Sequence, residues 1–271
     1  MGIIPEPYSP CYFIVMHKGK TVSVVIPTYN EEGSIRDIIN GFFDTGVVDE
    51  VVVIDNNALG NTKQEVAQTK ARLVEEKRQG YGSAMMRGLR EATGDLVITV
   101  EGDGTFLPKD IHKFLSYTDE FEVVFGTRTS RAAIWSGAFM PFPVRLGNWA
   151  VAKFLEVVHN GPSMTDVSCS YKLFSREVLN SIFDLFPLSS GKEAFSIEIM
   201  TWVIRRGWRP VEIPVIYKQR IGTSMYTGDS VFKAAKIGLK MVFLVLRYRF
   251  MHLESLRKDV PPVDKVARER D

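Results

Sequence analysis

From residue 21 onward, short apolar runs alternate with stretches of helical spacing. Residues 22–26 are rich in Val and stop at Pro27, which predicts a strand buried on both faces. Residues 31–43 follow with apolar positions at helical intervals. Residues 50–55 form a second Val-rich run, followed by a polar loop over 56–61 and a helix to about Lys70. A short third strand is expected at 72–76. Gly80-Tyr81-Gly82 opens a helix to about Ala92, and 95–100 is a fourth strand leading into Glu101-Gly102-Asp103-Gly104. Pro108 stands where a first helical turn tolerates proline, and 121–125 is a fifth strand. Strands separated by helices pair in parallel through right-handed crossovers. A ligand crevice then lies beyond their carboxyl ends.

The second half is less regular. Residues 137–158 read as a helix broken near Pro141 and Pro143, and 166–174 alternate like a strand. A helix over 195–206 is closed by Gly207. Residues 208–217 carry Pro210 and Pro214, as an edge strand does. A polar loop over 218–229 leads to a last helix from Ser230 to about His252. There Lys233, Lys236, Lys240 and Arg247 fall within about 60° of one another at 100° per residue. Val231, Phe232, Ile237, Leu239, Phe243 and Leu246 occupy the other faces. A basic stripe beside apolar residues suits either an anionic membrane surface or a helix packed on the domain with its lysines in water. The segments expected are an irregular leader over 1–20, a domain over 21–228, an amphipathic basic helix over 229–253 and a charged, disordered tail over 254–271. Met16 is an alternative start.

Composition narrows the classes. The 271 residues suffice for a large α/β domain, and the net charge of +2 argues against a polybasic nucleic-acid binder. Cys11 and Cys169 make no disulfide framework, so a reducing, cytoplasmic setting is expected. The apolar run 241–246 is far short of the roughly 20 residues of a spanning helix. The leader lacks a basic n-region, and Glu6 breaks the myristoylation pattern. There is no Walker A sequence. Thr28-Tyr29-Asn30-Glu31 stands where a dinucleotide-binding fold needs its glycines.

Candidate chemistry sits at the strand ends. The first run ends in Pro27-Thr28-Tyr29-Asn30-Glu31-Glu32, the second in Asp55-Asn56-Asn57 and the fourth in Glu101-Gly102-Asp103. All three should face one crevice. Two carboxylates flanking a glycine can converge, and paired oxygens suit Mg²⁺ or Mn²⁺, which take further ligands from substrate phosphates and water. The competing reading of Asp103-Gly104 is a plain turn. Gly80-Tyr81-Gly82 reads either as a loop closing over a base or ribose, or as a turn before a helix.

Taken together, these segments resemble the inverting family 2 glycosyltransferases with a GT-A fold. Val24-Val25-Ile26-Pro27-Thr28-Tyr29-Asn30-Glu31, Glu101-Gly102-Asp103 and Phe125-Gly126-Thr127-Arg128 carry the likeness. The branch of dolichol-phosphate mannose synthase and polyprenyl-phosphate glycosyltransferases is resembled through Thr165-Asp166-Val167-Ser168, Tyr171-Lys172-Leu173-Phe174, Glu212-Ile213-Pro214-Val215 and Arg220-Ile221-Gly222-Thr223-Ser224. The resemblance implies a mostly parallel central sheet flanked by helices, with a nucleotide-sugar half over 21–130 and an acceptor half over 131–228. It assigns Pro27, Tyr29, Glu31, Ile54, Asp55, Asn56, Gly82, Glu101, Gly102 and Asp103 to the donor. Asp103 and Glu101 would hold the metal. Arg128, Arg145, Arg220 and Ser224 would serve phosphate or acceptor, with Asp103, Arg128 and Arg220 catalytic.

Three departures stand out. Glu101 replaces an aspartate, Asn56-Asn57-Ala58 replaces Asp-Gly-Ser, and Met225 stands where the family has a lysine, a loss for which Lys218 or Arg220 could compensate. The expected reaction is direct displacement on a GDP- or UDP-sugar, moving a hexose to polyprenyl or dolichyl phosphate at the membrane surface. An ionised phosphate acceptor needs no base. A soluble sugar or metabolite hydroxyl, the alternative acceptor, would need Asp166, Glu193 or Glu198 as one. The second alternative is a non-catalytic nucleotide-sugar-binding subunit.

Overall fold

A computed structural model describes residues 17–189, 191–192, 194–221 and 230–251. The leader up to residue 16, Glu193, Ser224 with the rest of 222–229, and the 254–271 tail lie outside the described residues.

Val22–Thr28 (β1) is buried at every position because it pairs on both sides, in parallel, with Glu50–Asp55 (β2) and Leu96–Thr99 (β4). Arg72–Glu75 (β3) pairs in parallel with β2. Lys172–Ser175 (β6) runs antiparallel between β4 and Val123–Thr127 (β5). Val211–Pro214 (β7) pairs in parallel with β5. The sheet has seven strands in the order β3-β2-β1-β4-β6-β5-β7, so β7 is an edge strand, as its prolines suggested. The strand expected over 166–174 is confined to its end. Asp166 and Val167 are both buried, so that alternation did not mark an inward and an outward face.

Alternate residues of each central strand feed two cores. On one face Val24, Ile26, Val51 and Ile98 meet Ile35–Phe43 (α1), Thr62–Ala67 (α2) and Ile111–Leu115 (α4). α1 buries Ile35, Ile39 and Phe42, one helical stripe. On the other face Val25, Ile54 and Val97 meet Tyr81–Glu91 (α3), Phe142–His159 (α5), Arg176–Ile182 (α6), Phe195–Arg205 (α7) and Val231–Phe250 (α8). α6, which the sequence reading left unassigned, is capped by Ser175 Oγ accepting from the Val178 amide. Among the described residues no helix is long and apolar enough to cross a membrane.

Candidate active site

The ends of β1, β2 and β4 are tied together by hydrogen bonds. The Asn56 amide donates to the Thr28 carbonyl, and the Leu59 amide to that of Tyr29. Ser34 Oγ, at the start of α1, donates to the Gly102 carbonyl at 2.7 Å. Gly102 has no room for a side chain, since a Cβ there would lie 2.9 Å from Ile35 Cδ1. Gly104 takes a φ of +78°, the left-handed conformation that returns the chain toward its neighbour. The neighbour is the segment after β7. The Ile221 amide donates to the Asp103 carbonyl and the Lys218 amide to that of Thr105.

This register brings Arg220 onto the acidic pair. Its Nη2 lies 3.0 Å from Glu101 Oε2 and 2.6 Å from Asp103 Oδ2. The approach to Glu101 is a hydrogen bond. The shorter one to Asp103 is an ion pair without hydrogen-bond alignment, and Asp103 Oδ2 stays buried with no donor aimed at it. Asp103 Oδ1 accepts from the Thr105 amide and hydroxyl at 2.9 and 2.6 Å. Burial, reinforced by the charge of Glu101, pushes the Asp103 carboxyl up to about 7. Burial also pushes on Glu101, but Arg220, Asp103 and Arg128 together hold it below the ordinary carboxylate range. Glu31 stands in the field of both Arg220 and Glu101. Its Oε2 accepts the Tyr29 and Asn30 amides at 2.5 and 2.7 Å, and burial still leaves it raised.

A buried carboxylate oxygen without a donor, beside a second carboxylate, fits a divalent cation. Among the described residues no third His, Cys, Asp or Glu joins them.

Other expected site residues are placed differently. Arg128 is buried and faces Asp166, with Nε and Nη2 donating at 2.8 and 2.9 Å and Nη2 also reaching Ser168 Oγ at 2.6 Å. Its guanidinium lies over the Tyr217 ring at 5.1 Å. The phosphate-ligand expectation for Arg128 therefore meets a guanidinium already engaged. Asp166 is fully buried; Arg128 more than offsets that burial and holds the carboxyl below its ordinary value, so Asp166 is engaged as the structural partner of Arg128. Glu198 is likewise buried and accepts from Ser189 Oγ and Tyr248 Oη at 2.5 and 3.0 Å. Arg145 stacks on Phe142 at 5.8 Å. One helical turn further along α5, Asn148, not Arg145, reaches the Arg128 cluster, accepting from Ser168 Oγ at 2.8 Å.

On the donor side, Asp55 accepts from the Ala58 amide at 2.7 Å and pairs with Lys63 at 2.6 Å. Asn56 spends its whole amide on the 76–80 loop, donating to the Glu76 and Arg78 carbonyls and accepting from the Gly80 amide, each at 2.8 Å. It shapes that loop and has no side-chain atom left for a ribose. Pro27 and Ile54 are buried in the sheet, and the Ile54 carbonyl accepts from Thr28 Oγ1. Gly82 packs on the chain at Gly191, where a Cβ would meet the Gly191 carbonyl carbon at 2.8 Å. It is a close-approach glycine, not part of a loop over the base.

Two residues quoted in the sequence motifs but given no role there also gather here. Tyr81, at the first turn of α3, is raised above its ordinary value by burial and by the charges of Glu101 and Asp103. Lys172 is buried, donating to the Cys169 carbonyl and to Ser196 Oγ at 2.8 Å, and burial lowers it to about 8. A lysine flanked by Tyr171 and Leu173 in a buried strand was the available signal.

A family model for glycosyl transferase family 2 matches residues 23–183. The chain belongs to that family. An uncharacterised glycosyltransferase of Mycobacterium tuberculosis is 30% identical over 205 residues, 75% of this chain and 88% of the relative. A dolichyl-phosphate hexose transferase of Haloferax volcanii is 29% identical over 232 residues, 84% of this chain and 95% of that protein. Among solved structures, glucosyl-3-phosphoglycerate synthase of M. tuberculosis, in complex with Mn²⁺, UDP and phosphoglyceric acid, aligns with a TM-score of 0.64. It is 19% identical, covering 86% of this chain and 79% of that one. The family 2 glycosyltransferase is thus an enzyme with a GT-A fold.

Proposed function

We propose that this glycosyltransferase moves a hexose from a GDP- or UDP-sugar to a polyprenyl or dolichyl phosphate, with inversion at the anomeric carbon. The observation that carries the reading is the Glu101–Asp103 pair, bridged by Arg220 at the shared tip of β1, β2 and β4. Asp103 and Glu101 would hold Mg²⁺ or Mn²⁺, which when bound neutralises charge building on the leaving diphosphate. Arg220 would turn from the carboxylates to that diphosphate, for which a planar guanidinium is suited. Glu31 and Tyr29 would border the donor.

A phosphate acceptor is favoured because Asp166 and Glu198, two of the three candidates for the single base a hydroxyl acceptor would need, are committed to structural partners. An acceptor already ionised at neutral pH requires positioning only. Arg145, half-buried and stacked on Phe142, suits its phosphate. The 29% relative named a dolichyl-phosphate hexose transferase supports this acceptor class, and the neighbour solved with Mg²⁺ and UDP supports the metal and donor class. The protein would work as a peripheral enzyme on the cytoplasmic membrane face.

The test is incubation with labelled UDP- or GDP-hexoses, Mn²⁺ and polyprenyl phosphate in detergent, followed by lipid extraction. Label in the lipid phase supports the reading. Label appearing only on water-soluble acceptors such as phosphoglycerate would replace the lipid with a soluble substrate. Nucleotide binding without turnover would leave a non-catalytic binder.

A further inference from the structure

α8 has three distinct faces. Met241, Leu244, Val245 and Tyr248 are buried against the domain. Opposite them, Phe232, Leu239, Phe243, Leu246 and Phe250 form one column, with Phe232 89%, Phe243 65% and Phe250 79% exposed. Lys233, Lys236, Lys240 and Arg247 form a second column beside it. α8 carries Arg249 as well and no carboxylate anywhere along its length.

α5 packs beside α8. Val151, Ala152 and Leu155 share one core with Met241, Leu244 and Val245, and the His159 ring meets the Val245 carbonyl at 3.0 Å. α5 has its own outward column, Phe142, Leu146 and Trp149, at spacings of four and three, all exposed. Both columns point away from the shared core. Large apolar side chains in water cost free energy unless something covers them.

We propose that α5 and α8 together dock onto an anionic bilayer, with the phenylalanine, leucine and tryptophan columns entering the headgroup boundary. The charges select this occupant over a second copy: five cations with no carboxylate on α8 would repel their own image, whereas lipid phosphates complement them. The inference deepens the lipid-phosphate reading and rests on it for its purpose. α5 joins the two, since Arg145 stacks on Phe142 of the outward column and Asn148, one turn further on, accepts from Ser168 Oγ of the Arg128 cluster. A docked α5 would deliver an acceptor phosphate to the acceptor side of the crevice without a spanning segment from this chain.

The experiment uses the full chain and vesicles of phosphatidylcholine with and without phosphatidylglycerol. Cosedimentation should require phosphatidylglycerol and weaken with salt. The Phe232→Ser/Phe243→Ser and Lys236→Glu/Lys240→Glu variants, each with unchanged melting temperature, should each lose about tenfold or more in partitioning. Trp149 emission should be quenched by brominated acyl chains, and the signal should vanish in Trp149→Phe. No sedimentation, or equal sedimentation of wild type and both variants, overturns the proposal. So does light scattering that shows a dimer dissolved by Phe232→Ser/Phe243→Ser, which would make the face a self-interface. Vesicle binding without transfer to polyprenyl phosphate leaves the docking standing and removes the acceptor. Transfer in detergent without vesicle binding does the reverse.

Discussion

Replacing Arg220 with alanine removes the cation that lies between Glu101 and Asp103. At about 4 Å and an effective dielectric near 20, one ion pair is worth about 4 kcal/mol before desolvation. Arg220 makes two such contacts, at 3.0 and 2.6 Å, but its side chain is 30% exposed. Solvent screening and lost hydration reduce the net to about 1–2 kcal/mol. A divalent ion binding alone must displace this guanidinium. Without it, Mn²⁺ alone should bind about tenfold tighter, since each 1.4 kcal/mol is a factor of ten. A nucleoside diphosphate gives the guanidinium another anion to hold. In the wild type, nucleotide and Mn²⁺ should therefore strengthen each other's binding reciprocally. In Arg220→Ala that mutual gain should shrink, and nucleotide binding in the presence of Mn²⁺ should weaken. Paramagnetic resonance of free Mn²⁺, titrated at pH 8 with and without UDP or GDP, measures both quantities. Mn²⁺ alone binding equally or more weakly in a variant with unchanged near-ultraviolet dichroism would refute the competition.

Asp103→Asn should lower sugar transfer about a thousandfold or more while keeping the fold, measured by product formation and melting temperature. The raised Asp103 carboxyl, at about 7, must lose its proton before a metal binds, so wild-type Mn²⁺ affinity should fall about tenfold per pH unit below that value. Across the window from its ordinary value to about 7, the folded state holds more protons than the unfolded one. Stability of the metal-free protein should therefore decline as pH rises through that window, a slope absent in Asp103→Asn. Arg128→Ala strands a buried carboxylate and should cost about 3–5 kcal/mol, with much of it recovered when Asp166 is also replaced by leucine. An unchanged melting temperature with a raised donor KM would return Arg128 to phosphate binding. Lys172, lowered to about 8, binds fewer protons folded than unfolded between about 8 and its ordinary 10.5. Wild-type melting temperature should therefore rise relative to Lys172→Met through that window, a difference readable by calorimetry.

The parallel half of the fold was legible because its signals are local. β1, β2 and β4 are buried and read as short Val- and Ile-rich runs. β1 is followed by α1, whose apolar stripe Ile35, Ile39 and Phe42 is visible in the sequence. β6 was not legible in the same way. It enters antiparallel between β4 and β5, and its pairing with Leu96–Thr99 spans more than seventy residues of chain. Nothing in Lys172–Ser175 records that choice. α6 was overlooked although a serine cap and apolar residues at 178, 179 and 182 were present, because four-residue strands and seven-residue helices carry little periodicity.

The candidate site divides along the same line. Glu101 and Asp103 could be singled out because they follow a strand directly and lie two residues apart. What each other polar residue does depends on partners far along the chain. Asn56 and Asp55 are adjacent, yet Asn56 turns its amide to the loop at 76–80 while Asp55 meets Lys63. Arg128 and Arg220 have the same chemistry in the sequence. Arg128 follows β5 and lies beside Asp166, whose carboxylate is wholly buried, so its bidentate pair is part of the core. Arg220 follows β7 on a segment held to the Asp103–Thr105 backbone by hydrogen bonds from the Lys218 and Ile221 amides, so its guanidinium reaches carboxylates at the crevice and stays partly in solvent. A strand at the sheet edge can carry such a segment because its far side has no further strand to pair with. The antiparallel insertion of β6 is what sets β5 and β7 out at that edge. The least legible feature of the fold thus separates an arginine built into the core from one that stays partly exposed beside the Glu101–Asp103 pair.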